Sequence, residues 1–411
     1  MMGVIFMGKR IPIISAIFTM VLMAWTLSAR AQFVMTQANP DESCAVTITF
    51  DENGVNFINI GTYLDGTCHL PEWDFMGSPL VVQGSDYNVT ADGPLHNCAQ
   101  VVVESASNVS VSGADFDGVF GGVGVYGGSN ITLHDLSFQG TLDFLDRALD
   151  VSSSQGVTAS QLSFTGNFDR VNIASSSGVS VAKSSFELRD DAFTVVNIFE
   201  SSDVAVSQVK ANGGQGLMSA FNANGVTLDK AAVTLSADGF SANVAVFDSS
   251  DVSVTNSTID RRAIAASSLC FNLNDSSDIT VSNNKCLADP ATSSGGAMTI
   301  TIVKNYLVAN NLFEGNAGGI FVSSDGVIPD NGEISRNTIN MTGPYGLFLS
   351  AVTDVDVIRN NITNTLGTGQ TGTWYYDELT DGTPLFINFE KNKYSGFALN
   401  GECNSLDTIC P

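Results

Sequence analysis

A four-residue phrase recurs at short, nearly regular intervals through most of the sequence. It begins with Asn, Asp or Gly, continues with Val or Ile and then most often Ser or Thr, and ends on another apolar residue. From Val109 to Ile279, successive copies lie 22, 26, 22, 25, 22, 26 and 27 residues apart. Self-similarity at a fixed period of this size indicates a solenoid or an array of repeats. The copies begin at Asn108, Asn130, Gly156, Gly178, Asp203, Gly225, Asp251, Asp278 and Asp354.

Each repeat contains short runs of alternating apolar and polar residues, for example 131–133, 136–138 and 148–151. Such alternation predicts strands, and the Gly, Ser, Asn and Asp residues between the runs are typical of turns. Three strands in a coil of 22–27 residues predict a parallel β-helix. A β-propeller does not fit this period, because each of its blades needs about 40 residues. A leucine-rich repeat does not fit either, because its characteristic leucine spacing is missing.

These phrases resemble the repeats of right-handed parallel β-helix proteins, the pectin-lyase-like superfamily. The resemblance implies one all-β solenoid of eleven or twelve coils over residues 81–365, with an N-terminal cap at 32–80 and a C-terminal cap at 366–411. It implies little about function, because lyases, hydrolases, epimerases, adhesins and phage tailspikes share this architecture.

The first 31 residues predict a secretory signal peptide, and hence a secreted, extracellular or periplasmic protein. A basic start, an apolar run over 11–27 and the ending Ala29-Arg30-Ala31 fit this assignment, with cleavage before Gln32. An uncleaved membrane anchor is the alternative.

The chain is strongly acidic. Of 17 basic residues, Lys9, Arg10 and Arg30 fall in the predicted signal peptide, which leaves 14 against 42 acidic residues and a net charge near −28. This balance excludes nucleic acid and anionic membrane surfaces as partners. An acidic polysaccharide would also be repelled unless local cations or bound calcium intervened; solubility or salty surroundings also account for the charge.

Seven cysteines follow the predicted signal peptide, and a secreted chain permits disulfides. We expect the pair Cys403–Cys410 and one or two others, and the odd count leaves at least one thiol without an intramolecular partner. The spacings match no zinc site.

Asparagines also recur at similar places in the later coils. They predict a ladder of side-chain amides that bond along the stacked turns. The residues are Asn283-Asn284, Asn310-Asn311, Asn337 and Asn360-Asn361.

Charged residues stack just before one strand of successive repeats. Steps of 23, 21 and 25 residues join Asp146-Arg147, Asp169-Arg170, Asp190-Asp191 and Gln215. Because neighbouring coils lie about 4.8 Å apart, we expect Asp169 beside the Asp190–Asp191 pair. Close carboxylates supply a general acid and a general base, as inverting glycoside hydrolysis requires.

This stretch resembles the polygalacturonase family of β-helix glycosidases, whose pattern is Asn-Thr-Asp, then Asp-Asp, then Gly-His-Gly. Here Asn167-Phe168-Asp169, Asp190-Asp191 and Gly214-Gln215-Gly216 stand at those places. The resemblance implies that Asp191 is the acid and that Asp169 and Asp190 hold the attacking water.

Three departures from the family pattern put an active site of this kind in doubt. Phe168 replaces threonine, and Gln215, which replaces histidine, cannot transfer a proton. No Arg-x-Lys motif follows, and Arg261-Arg262 is the nearest basic pair downstream.

Other interpretations stay open at this point. A lyase or epimerase would neutralise a uronate with Arg147, Arg170, Arg189 or Lys183, and its aspartates would hold calcium; no other cofactor is predicted. The same charges could form a surface ladder. A non-catalytic surface protein could bind glycan on a flat β-face, and Trp374-Tyr375-Tyr376 could stack on sugars or cap the solenoid.

Overall fold

A computed structural model describes residues 32–37, 44–51, 53–140, 147–238, 242–323, 329–367, 369–376 and 385–404 of the chain. The predicted signal peptide therefore lies outside the described residues. Within these ranges, no helix is long and apolar enough to cross a membrane.

All regular elements in the described ranges are strands. They are β1 (Gln32–Thr36), β2 (Ala45–Asp51), β3 (Gly54–Asn59), β4 (Thr62–Leu64), β5 (Thr67–Leu70), β6 (Trp73–Asp74), β7 (Leu80–Ala91), β8 (Leu95–His96), β9 (Val101–Val119), β10 (Val123–Tyr126), β11 (Ser129–Gly140), β12 (Leu149–Ser152), β13 (Gln155–Phe168), β14 (Val171–Ala174), β15 (Ser177–Ala182), β16 (Ser185–Leu188), β17 (Val196–Phe199), β18 (Ser202–Ser207), β19 (Lys210–Asn212), β20 (Met218–Phe221), β21 (Asn224–Asp229), β22 (Ala232–Thr234), β23 (Ala242–Phe247), β24 (Ser250–Thr255), β25 (Thr258–Asp260), β26 (Leu269–Asn274), β27 (Ser277–Ser282), β28 (Lys285–Leu287), β29 (Gly296–Thr301), β30 (Lys304–Ala309), β31 (Leu312–Asn316), β32 (Gly318–Ser323), β33 (Pro329–Ser335), β34 (Thr338–Met341), β35 (Tyr345–Ser350), β36 (Thr353–Ile358), β37 (Asn361–Asn364), β38 (Gly369–Tyr375), β39 (Ile387–Glu390), β40 (Lys393–Ser395) and β41 (Phe397–Asn404).

The strands form three stacks of parallel partners, which we call the first, second and third faces. The first face runs from β10 through β12, β14, β17 and β20 to β41. The second face includes β15, β18 and β21, and the third includes β16, β19 and β22. About twelve turns result, which confirms the predicted all-β parallel β-helix.

One continuous hydrophobic core fills the solenoid, because alternate residues of the stacked parallel strands point inward. On the third face, Phe116, Phe138, Phe164 and Phe186 stack in successive turns with ring centroids 4.8, 4.7 and 5.3 Å apart. Residues between these inward positions face outward, so the repeat phrase fixes which side chains any ligand can meet.

The predicted asparagine ladder is confirmed at the corner between the second and third faces. Asn284, Asn311, Asn337 and Asn360 are buried and bond to one another and to backbone groups of adjacent turns, and Asn392 extends the series. A serine ladder at the corner between the first and second faces was not predicted. There the backbone N–H of one turn donates to the hydroxyl of the next, at Ser176, Ser201, Ser249 and Ser276.

The N-terminal strands depart from the parallel pattern. β1, β2 and β3 pair in antiparallel fashion, and β1 then joins β7 in parallel. These strands form the start of the predicted cap, whose bounds stay a prediction.

Two disulfides join cysteines within the described residues, Cys44 to Cys68 and Cys270 to Cys286. Cys403 is also disulfide-bonded, and its predicted partner Cys410 lies outside the described residues. Among the described cysteines, Cys98 is the free thiol that the odd count required. Disulfides indicate an oxidising compartment.

We expect the Cys98 thiol to be inert in the folded chain. Burial raises the pKa of Cys98 to about 12, so almost no thiolate forms at pH 8. Alkylation with iodoacetamide at pH 8 without reductant should label no cysteine in the native protein and Cys98 after unfolding. Labelling of the native protein at the unfolded rate would contradict the buried position.

Candidate functional site

The predicted charged residues lie at the corner where the chain passes from the third face to the first. Backbone hydrogen bonds stack successive turns there. The N–H of Arg189 donates to the carbonyl of Phe168 at 2.9 Å, and that of Gln215 donates to the carbonyl of Ala192 at 2.9 Å. Asp169, Asp190-Asp191 and Gln215 therefore occupy three successive turns of one corner, and Asp146 lies outside the described residues.

The aspartates at this corner have different surroundings, because their turns differ in length. Only residues 169–170 separate β13 from β14, whereas residues 189–195 separate β16 from β17. The Asp169 side chain is 13% exposed and pairs with Arg170 Nε at 3.1 Å. The Asp191 side chain is 75% exposed and lies 2.9 Å from Arg189 Nε, and Asp190 is also exposed. Their predicted catalytic roles stay predictions.

One oxygen of Asp169 has no hydrogen-bond partner among the described residues. Its Oδ1 is buried and accepts no hydrogen bond from the described residues. Leaving a buried carboxylate oxygen unpaired costs about 1–3 kcal/mol, so a hydroxyl or water that reached it would bind favourably. The neighbouring Phe168 is a core residue packed edge-on against Phe164, so the residue in place of the family's threonine does not line the site.

Four positions of the first face that alternate with core residues form a second group, which we call the polar column; three of the four side chains are buried and one is half-buried. It consists of Asp150, Asn172, Asn197 and Ser219, paired in register on β12, β14, β17 and β20. Asn172 donates to Asp150 Oδ1 at 2.8 Å, Asn197 donates to Asn172 Oδ1 at 2.8 Å, and Ser219 donates to Asn197 Oδ1 at 2.7 Å. Amide, hydroxyl and carboxylate groups thus follow the solenoid axis through four turns.

Asp150 is the anchor of the polar column. Its Oδ2 accepts hydrogen bonds from Arg147 Nη1 at 2.7 Å and from the Tyr126 hydroxyl at 3.2 Å. The ion pair balances the carboxylate, so this charge-paired column suits uncharged hydrogen-bonding ligands. Arg147 holds Asp150 in this position, and its predicted role in substrate binding stays a prediction.

The polar column was not predicted, although the sequence contains a signal for it. Aligning the first-face strands gives L-D-V, V-N-I, V-N-I and M-S-A, each with a polar residue between core residues. An isolated polar residue in a buried strand is the signal, and only strand-by-strand alignment of the repeats reveals it.

Aromatic rings line the same face two residues beyond the polar column. Phe199, Phe221 and Phe247 pair in register on β17, β20 and β23. Phe199 is 41% exposed, and the rings of Phe221 and Phe247 stack with centroids 5.0 Å apart. We call these three residues the aromatic column. The exposed ring of Phe199 and the half-buried rings of Phe221 and Phe247 lie beside fixed polar groups, an arrangement that suits ligands with both apolar and polar surface.

Two groups of predicted basic residues do not join this site. Lys183 lies between β15 and β16, at the corner between the second and third faces. Arg261 is fully buried and donates to Asn243 Oδ1, to the Ser268 carbonyl and to Asn316 Oδ1. Burial lowers the pKa of Arg261 to about 10, against the opposing effect of Asp238. Arg261 therefore joins buried groups by hydrogen bonds and is not accessible to a ligand on the surface.

The described residues contain no cluster of three or more His, Cys, Asp or Glu side chains that could hold a metal ion.

No protein-family model and no curated protein sequence matches the chain. Solved structures of the same architecture include the surface adhesin PfbA of Streptococcus pneumoniae, at 12% identity over 82% of this chain and 85% of that chain, with a TM-score of 0.47. A PL6 alginate lyase in complex with a trisaccharide is 13% identical over 85% of this chain and 84% of that chain, with a TM-score of 0.48. Endo-xylogalacturonan hydrolase of Aspergillus tubingensis is 13% identical over 75% and 89%, with a TM-score of 0.40.

These similarities concern the fold alone. The structural neighbours are pectin-lyase-like β-helix proteins, as the repeat phrases predicted. They include an adhesin, a lyase and a hydrolase.

Proposed function

We propose that this chain binds an extracellular polysaccharide along its first face. One observation carries the proposal, which is the polar column, with Asn197 half-buried, beside the aromatic column on successive turns of the first face. A sugar ring has an apolar side that stacks on aromatic rings and a rim of hydroxyls that bond to amides and carboxylates. A linear polysaccharide would lie along the solenoid axis and repeat these contacts from turn to turn.

The charge distribution favours a neutral polysaccharide. The chain carries a net charge of −25, and the exposed Asp190 and Asp191 adjoin the face. Arg147, Arg170 and Arg189 each pair with an aspartate, which leaves little uncompensated positive charge for a uronate.

Replacing Phe199 and Phe221 together by serine should weaken polysaccharide binding about tenfold or more, because each stacked ring contributes about 0.5–1.5 kcal/mol. Affinity electrophoresis of the chain from Gln32 onward, in gels that contain neutral or acidic polysaccharides, measures this effect. Phe57→Ser is the matched control, since Phe57 is 66% exposed and lies on β3, at the N-terminal end of the same sheet and far from the aromatic column along the solenoid axis. Equal retardation of both variants and the unchanged chain would reject the first face as the binding surface.

A second candidate function is hydrolysis of the bound chain. The stacked turns that carry Asp169 and Asp190-Asp191 adjoin the first face, and the unpaired Asp169 Oδ1 could hold a water. We assign Asp191 as the acid and the other two aspartates to the water, by resemblance to the glycosidase pattern. This assignment is preferred over a lyase because the arginines are already ion-paired. Binding without turnover would favour the non-catalytic alternative.

A further inference from the structure

A separate cavity lies farther along the first face. Its volume is about 320 Å³, at the lower end of the range of about 300–1,000 Å³ that small-molecule sites occupy. It begins at Leu269 on β26, two strands beyond β20, which corresponds to about 10 Å at the usual strand spacing. The residues that matter here are Gly296, Thr299, Gly318, Phe321, Tyr345 and Phe348.

Aromatic rings form one wall of this cavity. Phe321 and Phe348 stack with ring centroids 4.8 Å apart, and Phe321 is 40% exposed. Tyr345 lies edge-on to Phe348 at 5.9 Å and to Trp374 at 6.3 Å. The Tyr345 hydroxyl is held by Gln370 Oε1 at 2.9 Å, which fixes the ring at the rim.

A pair of glycines opens the cavity floor. Gly296 and Gly318 are partners on β29 and β32. A Cβ built on Gly318 meets only the Gly296 Cα, at 3.4 Å, so the space above this position is empty. Gly319 differs, because a Cβ there would lie 1.7 Å from the Gly346 carbonyl oxygen. Gly319 must therefore be glycine for the backbone to fit, whereas Gly318 leaves room for a ligand.

We propose that this cavity is a second sugar subsite, selective for a neutral sugar unit that carries a methyl group, such as a 6-deoxyhexose. Its lining contains no charged residue. Thr299, Phe321 and Phe348 continue the position of the polar column in register, so one ligand chain could reach both. The wall offers rings instead of hydrogen-bonding groups, which suits a methyl group better than a hydroxymethyl group. This inference rests on the proposed polysaccharide binding and adds a specificity to it.

Two small glycosides test the subsite. Methyl 6-deoxy-α-mannopyranoside should bind the unchanged chain about fourfold or more tightly than methyl α-mannopyranoside, because burial of one apolar carbon strengthens binding by about this factor. Ligand-observed NMR titration measures both affinities. Gly318→Leu should fill the cavity and weaken the 6-deoxy glycoside about tenfold or more, and Phe321→Ala should also weaken it by removing the stacking wall.

Controls separate this inference from the proposed function. Phe57→Ala should bind both glycosides as the unchanged chain does, and thermal unfolding confirms that each variant is folded. Equal affinity for the two glycosides, unchanged binding in both cavity variants, or no binding at tens of millimolar would overturn the subsite. The retardation of the Phe199 and Phe221 double variant in polysaccharide gels is measured separately. The two experiments therefore distinguish a wrong binding surface for the polysaccharide from a wrong assignment of the cavity.

Discussion

Asn311→Ala is expected to lower the free energy of unfolding by about 3–5 kcal/mol. The Asn311 side chain is buried, donates to the Val281 carbonyl at 2.9 Å, and accepts from the N–H and the amide of Asn284 at 2.9 and 3.1 Å. Alanine would leave these three groups buried without hydrogen bonds. Each unsatisfied group costs about 1–3 kcal/mol, and relaxation of the surrounding structure reduces the sum. Denaturant unfolding curves measure the change.

Asn388→Ala is the matched control for the ladder. Asn388 is exposed and bonds to Asp356 Oδ1 at 2.9 Å on the outer surface. Surface substitutions of this kind change stability by about 0.5 kcal/mol or less. Similar losses in the two variants would mean that the buried ladder adds nothing beyond ordinary surface bonding.

Asp191→Asn is expected to reduce the release of reducing ends by about 10²–10⁴-fold if the bound polysaccharide is hydrolysed, because asparagine cannot donate the proton. The chain from Gln32 onward would be assayed on a panel of neutral and uronic polysaccharides, with and without calcium. Reducing ends and the absorbance of unsaturated products would be followed together, while affinity electrophoresis checks that binding is retained.

Asp251→Asn serves as the control, since Asp251 is an exposed aspartate at the start of β24 on the second face. Full activity in Asp191→Asn would remove the assigned acid. Unsaturated products would indicate a lyase instead, and binding without any product would leave the chain as a glycan-binding protein.

The fold could be predicted because the repeat imposes it. A Val or Ile between small polar residues at each interval of 22–27 residues specifies an inward position, a turn and a strand in every coil. The asparagine ladder was also predictable, since Asn284, Asn311 and Asn337 recur at the same point of the repeat, where a buried amide must bond to the adjacent turns.

The site was less predictable because turn length varies while the strands stay in register. Sequence spacing aligned Asp169 with Asp190 and Asp191, yet the two-residue turn keeps Asp169 largely buried and the seven-residue turn leaves Asp191 in solvent. Spacing places residues in the same corner but does not determine their depth. The role of Asp150 depends on which sheet face it occupies and on Arg147 folding back over it, which requires three-dimensional packing.

The central claim concerns where a sugar chain binds, so the most direct measurement is a crystal structure with an oligosaccharide cut from a polysaccharide that retains the protein. Sugar rings should stack on Phe199 and Phe221, with hydroxyls bonded to the polar column at the half-buried Asn197. A sugar chain bound on the second or third face, with the first face empty, would contradict the account.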